Sequence, residues 1–221
     1  MPERLESRLA EVRERVAAAA RGAGRAPDDV TLIVVTKFQP VDLVQRLRAL
    51  GVADFGENRH PEARDKAAAV PDAAWHFIGQ LQTNKARQVA RYVDALHSVD
   101  RADLVHALRD ADLDVLLQVD LDGDTPGRGG AAPPELGPLA EAVLATGHLR
   151  LRGVMAVAPR DEEPARAFAR LEAASDQVRR VAPDASWISA GMSGDYEAAI
   201  AAGATHVRVG AAITGPRSTP G

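Results

Sequence analysis

Leu5, Leu9, Val12 and Val16 follow one another at spacings of four, three and four, the period of a helix with one apolar face, and predict a helix over about residues 2–21. Its arginines interleave with Glu3, Glu6, Glu11 and Glu14, which reads as a face turned to water. After a glycine-rich turn with Pro27 and Asp28 the pattern changes. TLIVVT (31–36) is a short β-branched run of the kind that forms a strand buried on both faces. Seven further apolar or alternating runs follow, at 53–56, 75–79, 95–99, 114–120, 151–157, 186–190 and 206–210, of which ADFG at 53–56 is very short. Helix-patterned stretches separate them, at 41–50, 58–69, 84–93, 101–110, 134–146, 162–181 and 196–203. Strands alternating with helices imply parallel βαβ crossovers. Eight such units in 221 residues fit an α/β protein of the (β/α)8 TIM-barrel type better than an open doubly wound sheet. Since no linker divides the chain, residues 1–221 are expected to form one domain. The segment 122–135, rich in glycine and proline, is expected to be a mobile loop over a binding face.

Composition narrows the function. Lysine and arginine number 27 against 31 aspartates and glutamates, a net charge of −4, which does not suit a dedicated nucleic-acid binder. With no cysteine, disulfide frameworks, zinc knuckles and thiol nucleophiles are excluded. The N-terminal stretch mixes acids with bases and has no apolar signal core, and no apolar run reaches about 18 residues, so a cytoplasmic protein without a membrane partner is expected. No coiled-coil seam or edge strand is evident, and the expected state is a monomer.

In a parallel barrel, sites lie at the C-terminal ends of the strands. Lys37 closes the first run, where its side chain is expected to enter the barrel mouth and lose part of its hydration. Desolvation favours the neutral amine, which attacks an aldehyde to form a Schiff base. The alternative is a lysine paired with Glu57 or another carboxylate at the rim. Ser193, Gly194 and Asp195 precede a helix-patterned stretch, so backbone N–H groups and the Ser193 hydroxyl form an anion site, unless they are an ordinary cap. Gly210 allows close approach of a ligand after the eighth run, and Arg208 shares its face by strand alternation. A lysine, a phosphate site and an arginine together suit a phosphorylated aldehyde, for which pyridoxal 5′-phosphate (PLP) is the candidate. His76 and His97 fall inside strand runs and read as buried, hydrogen-bonded histidines. His60, His106 and His148 read as solvent-facing. Trp75 and Trp187 read as core residues, and a metal site has little support.

TLIVVTK with Pro40, FGEN (55–58), WHFIGQLQTNK (75–85), HSVD (97–100), LRGVMA (151–156) and SAGMSGDYEAAIAAGATHVRVGAAITG (189–215) resemble, in order, the motifs of the pyridoxal phosphate homeostasis protein family, also called the YggS or PROSC family. The resemblance runs from about residue 30 onward. It implies the barrel of the alanine racemase N-terminal domain, PLP held as a Schiff base on Lys37, and a role in vitamin B6 homeostasis with no turnover. It places Ser193, Gly210 and Ala211 at the phosphate, Arg208 opposite the pyridine nitrogen and Asn58 near the cofactor, and it admits PLP-dependent apoenzymes as partners. Arg59, Ala211, Thr214 and the Arg128–Gly129 pair depart from common family residues. The loss of a hydroxyl at Ala211 is expected to weaken binding by about 1 kcal/mol. The competing readings are a PLP-dependent racemase or decarboxylase, and a Schiff-base aldolase. A racemase of this fold draws a second base from a tyrosine on a further domain, whereas Tyr92 and Tyr196 are both expected on helices.

Overall fold

Each of the eight apolar runs becomes a parallel strand. The computed structural model describes residues 2–123 and 129–215. The strands are β1 (Thr31–Val35), β2 (Asp54–Glu57), β3 (Ala74–Phe77), β4 (Ala95–Val99), β5 (Leu113–Gln118), β6 (Leu149–Met155), β7 (Trp187–Ser189) and β8 (His206–Val209). They pair in chain order, and β8 pairs back onto β1 with Ile33 beside Arg208, which closes the barrel. The very short second run is a full member, pairing with β1 at Val34–Phe55 and with β3 at Phe55–Trp75.

The helices are α1 (Pro2–Gly22), α2 (Val41–Ala49), α3 (His60–Ala69), α4 (Ala86–Val89), α5 (Ala102–Leu108), α6 (Leu136–Leu144), α7 (Pro164–Val181), α8 (Tyr196–Ala201) and α9 (Ala211–Thr214). The stretch expected to be helical over 84–93 contains only the four residues of α4, preceded by a 3-10 turn at Thr83–Lys85. Beyond it the chain is drawn out toward β4. The Tyr92 hydroxyl donates to the His60 carbonyl at 3.1 Å and meets His60 Nδ1 at 3.0 Å, and Asp94 accepts the Trp75 N–H at 2.7 Å. Tyr92 therefore lies in a turn, not on a helix, and His60 is half-buried, not solvent-facing.

Strand alternation divides the core in two. Val34, Phe55, Trp75, Phe77, Leu96, Val154 and Val207 point outward into the main apolar cluster beneath the helices. Trp75 stacks on Phe55 there, with centroids 5.3 Å apart. The barrel interior holds Ile33, Val35, Leu116 and Met155 together with an unusual polar set: His76, His97, Ser189, His206 and Arg208, all buried. Helix α1 buries Leu5, Leu9, Val12, Val16 and Ala20 and packs against α8 and α9. Its arginines are not merely a solvated face. Arg8 Nε donates to the Ile213 carbonyl at 2.7 Å, Arg13 donates to the carbonyls of Leu50 and Gly51, and Arg15 pairs with Glu197 at 2.5 Å. Carbonyls at neighbouring helix ends supply the acceptors for Arg8 and Arg13.

The long loop after β5 is anchored on its returning side. Ala131 N–H donates to the Gln118 carbonyl at 2.8 Å, and the Asp120 N–H donates to the Ala131 carbonyl at 3.0 Å. Gly129 belongs to this anchored part, whereas Arg128 lies outside the described residues. Among the described residues, no helix is long and apolar enough to cross a membrane.

Candidate functional site

The last rung of β1 is the Thr36 N–H donating to the Gly56 carbonyl at 3.1 Å, after which Lys37 and Phe38 form a turn closed by Gln39 N–H on the Thr36 carbonyl at 3.0 Å. The turn raises Lys37 out of the barrel, so the lysine expected to be desolvated is exposed at the rim. Phe38 has a φ of 64°, in the left-handed region that a bulky residue seldom adopts. Its N–H donates to Glu62 Oε1 at 2.5 Å, and Arg59 lies over its ring at 5.7 Å.

Behind this turn sits a buried ionic cluster. Lys66 of α3 is 2% exposed and donates to the Thr36 carbonyl at 2.6 Å, Glu57 Oε1 at 2.7 Å and Glu62 Oε1 at 2.6 Å. The Thr36 hydroxyl donates to the same Glu57 oxygen at 2.6 Å. Burial pushes the Glu57 carboxyl up, and Lys66 only partly offsets this. Glu57 therefore pairs with Lys66 and not, as the rim alternative supposed, with Lys37. One lysine is consumed in holding the turn that presents the other. Nothing in the helical pattern of 58–69 distinguishes Lys66 from a surface lysine.

Next to Lys37, Asn58 follows β2 with a buried Oδ1 that has no partner. Gly79 makes room for it, since a Cβ there would lie 2.7 Å from the Asn58 carbonyl oxygen. On the other side of β1 are the loops after β7 and β8. Asp195 Oδ1 accepts the Met192 N–H at 2.6 Å and folds the first of these around Ser193 and Gly194. Among the described residues, the Ser193 hydroxyl and the N–H groups of Ser193, Gly194, Gly210 and Ala211 have no hydrogen-bond partner. Gly210 lies against β1: a Cβ there would be 3.3 Å from the Val35 carbonyl oxygen. Ala211 opens α9, a helical turn beyond the eighth run that the sequence pattern did not predict.

Arg208, 4% exposed, lies one inward step below Gly210. Nη1 donates to Ser189 Oγ at 2.7 Å and Nη2 to the Ala156 carbonyl at 2.8 Å. Ser189 Oγ is 2.9 Å from His97 Nδ1, His97 Nε2 is 2.9 Å from His76 Nδ1, and His76 Nε2 is 3.1 Å from Asp54 Oδ1. Burial lowers the Arg208 guanidinium to about 10, with Asp195 opposing the shift. Burial, reinforced by His76, also holds His97 well below the ordinary histidine range and pushes His206 down to about 3.

The six residues singled out in sequence thus gather around one end of the barrel. Lys37, Asn58, Gly210 and Ala211 follow adjacent strands, Ser193 lies on the next loop, and Arg208 forms the floor. On the β3–β5–β6 side the mouth contains a cavity of about 180 Å³ lined by Ile78, Gln80, Gln118, Asp120, Gly129 and Met155. Tyr92 lies in the turn before β4, and Tyr196 is buried at the start of α8 with Arg15 5.3 Å from its ring centroid.

A closed barrel with a lysine after its first strand and free N–H donors after its last two defines a class, and the family model of the alanine racemase N-terminal domain matches residues 8–218. The alanine racemase of Corynebacterium glutamicum has this fold, with a TM-score of 0.72 and 17% identity over 93% of this chain and 60% of its own. Within the class, the chain is 41% identical over 221 residues to the pyridoxal phosphate homeostasis protein of Pseudomonas aeruginosa, covering 95% of this chain and 94% of the relative, and it belongs to the pyridoxal phosphate homeostasis protein family. PipY of Synechococcus elongatus PCC7942, solved with PLP bound, superposes with a TM-score of 0.82 and 31% identity over 95% of this chain and 99% of its own.

Proposed function

We propose that this protein holds pyridoxal 5′-phosphate reversibly at the barrel mouth and serves intracellular vitamin B6 homeostasis without turning over a substrate. The observation that carries this reading is PipY, which shares nearly the whole chain and is solved with PLP bound. When bound, the cofactor supplies an aldehyde for covalent attachment to an amine. Lys37, exposed at the rim, is the amine in reach. The Ser193 hydroxyl and the N–H groups of Gly210 and Ala211, lacking acceptors among the described residues, take the phosphate. The unpartnered Oδ1 of Asn58 borders the ring, and Arg208 meets the pyridine nitrogen from the barrel floor. A guanidinium there donates to the nitrogen and keeps it unprotonated, which weakens the ring as an electron sink and suits storage better than catalysis.

The absence of turnover is supported by the names of the relatives, which speak of homeostasis. It is supported too by the two tyrosines, neither of which is at the mouth. The racemase reading rests on likeness of fold. A cytoplasmic location and a monomeric state remain part of the proposal; for the monomer, the support is that the closed barrel leaves no strand edge to pair among the described residues. Transfer to PLP-dependent apoenzymes is the proposed destination of the cofactor.

Titration with PLP, followed by near-visible absorption on wild type and Lys37→Ala, then borohydride reduction and peptide mapping, tests this reading. A band present only in wild type, with the reduced adduct on Lys37 and no turnover of added amino acids, is expected. Adducts scattered over surface lysines would remove the cofactor assignment, and sustained amino-acid turnover would restore the enzyme reading.

A further inference from the structure

Four of the five buried polar residues inside the barrel form one connected line, from Arg208 on β8 through Ser189 on β7, His97 on β4 and His76 on β3, which ends on Asp54 of β2. An arginine donates and never accepts, whereas an ionised carboxylate accepts and never donates, so the two ends of the line fix its sense. Ser189 Oγ accepts from Arg208 and passes its own proton to His97 Nδ1. His97 then carries its proton on Nε2 and donates to His76 Nδ1, and His76 donates from Nε2 to Asp54 Oδ1. Every group is satisfied with both histidines neutral. The reverse sense would require a second proton on His76 and would leave the Ser189 hydroxyl proton without an acceptor. The depressed basicity of buried His97 agrees with the first arrangement.

The interior of such a barrel is ordinarily filled by branched apolar side chains. Four buried polar side chains here, each engaged, are a costly arrangement whose members constrain one another. The line occupies one edge of the Arg208 guanidinium, with Ser189 on Nη1, while the Ala156 carbonyl holds Nη2. No other N–H of the guanidinium has a partner among the described residues, Nε–H included. One contact comes from β7, beside β8, and the other from the residue that follows β6, so the planar group is pinned before any ligand arrives.

We propose that Ser189 and His97 are positioning residues for Arg208: the one-way hydrogen-bond line ending at Asp54 fixes the guanidinium so that its free donors meet the ring nitrogen of the bound cofactor. This assignment rests on the PLP reading above. It deepens that reading, because the selectivity of the site for a pyridine ring then depends on residues that touch only Arg208 or one another.

Two measurements test it. In the ligand-free protein, long-range ¹H–¹⁵N correlation spectra should show His97 and His76 neutral with the proton on Nε2. A proton on Nδ1 of His97, or two protons on His76, overturns the proposed sense. In the second, dissociation constants are compared for PLP and for its carbocyclic analogue, a phosphorylated hydroxybenzaldehyde in which C–H replaces the ring nitrogen. Wild type should prefer PLP by about tenfold, the scale of one hydrogen bond from a charged donor. Ser189→Ala should reduce that preference at least threefold, because the loosened guanidinium serves the nitrogen and nothing else. A purely structural loss would weaken both ligands equally, and an unchanged ratio overturns the positioning role while leaving the PLP reading intact. Wild-type protein that binds neither aldehyde removes that reading and this assignment together. A Ser189→Ala variant that fails to fold leaves the wild-type spectra to decide.

Discussion

Lys66 Nζ lies 2.7 Å from Glu57 Oε1 with the two side chains 2% and 1% exposed, so the only contacts available to either charge are those the protein provides. Glu62 and the Thr36 carbonyl complete the ammonium's shell, and through Glu62 the cluster reaches the N–H of Phe38, next to Lys37. The strained turn that carries Lys37 is thus held from α3.

Removing one partner of such a pair leaves the other charged and buried. Lys66→Met should lower the unfolding free energy by about 3 to 5 kcal/mol, whereas Glu57→Gln with Lys66→Met should recover a substantial part of it. Burial already raises the Glu57 carboxyl, and losing Lys66 raises it further. The folded single variant then binds more protons than its unfolded chain, so its deficit relative to wild type should shrink as pH falls from 7 to 5. Urea unfolding of the three proteins at both pH values measures this. A deficit that grows on acidification contradicts it.

The histidines of the barrel interior act in the opposite direction. His206 falls from 6.5 to about 3, and His97 is held low by the same burial. Between the folded and unfolded values the unfolded chain binds more protons, so stability is complete above about pH 6.5 and is lost as pH falls toward 3. Wild-type urea midpoints should decline steadily from pH 7 to pH 5, before most carboxylates titrate. His206→Gln should flatten that decline even though it lowers the midpoint at pH 7. A wild-type midpoint that is constant over this interval would refute the assignment.

At the loops after β7 and β8, where the phosphate is proposed to sit, the prediction has two signs. Ser193→Ala removes a hydroxyl donor and should weaken PLP binding roughly tenfold, the scale of one hydrogen bond to a charged group. Ala211→Ser adds a donor at an exposed position in the first turn of α9 and should tighten binding by about fivefold, near 1 kcal/mol. Equilibrium titration of both variants, with inorganic phosphate as competitor, checks the pair of effects. Equal effects of the two substitutions would place the phosphate elsewhere.

The strand positions were legible because each depends on a local run, and TLIVVT or ALHSV needs no distant partner to be recognised. Lys37 was legible for the same reason, as the first charge after such a run. Its exposure was not, because the turn at Phe38 is imposed by Glu62, 24 residues further along. Lys66 looked like any charge on a helix, and only folding shows that it points toward β1 and β2. The line from Arg208 to Asp54 draws on five strands, with Ser189 92 positions from His97, a separation at which no sequence period operates. α4 was overestimated because apolar spacing persists through Tyr92 while tertiary hydrogen bonds pull that residue out of the helix.

Closure of the barrel joins segments far apart in the chain. β1 pairs with β8, and Arg8 of α1 holds the Ile213 carbonyl of α9 across 205 residues. During synthesis, the first strand and first helix therefore wait for their partners until the polypeptide has passed residue 213, and contacts of such separation form slowly. The Gly210–Ala211 donors take up their places beside Lys37 only at that last step. A nascent chain short of this point has a lysine but no anion cradle to accompany it, so the capacity to capture a phosphorylated aldehyde arrives with completion of the fold and not before.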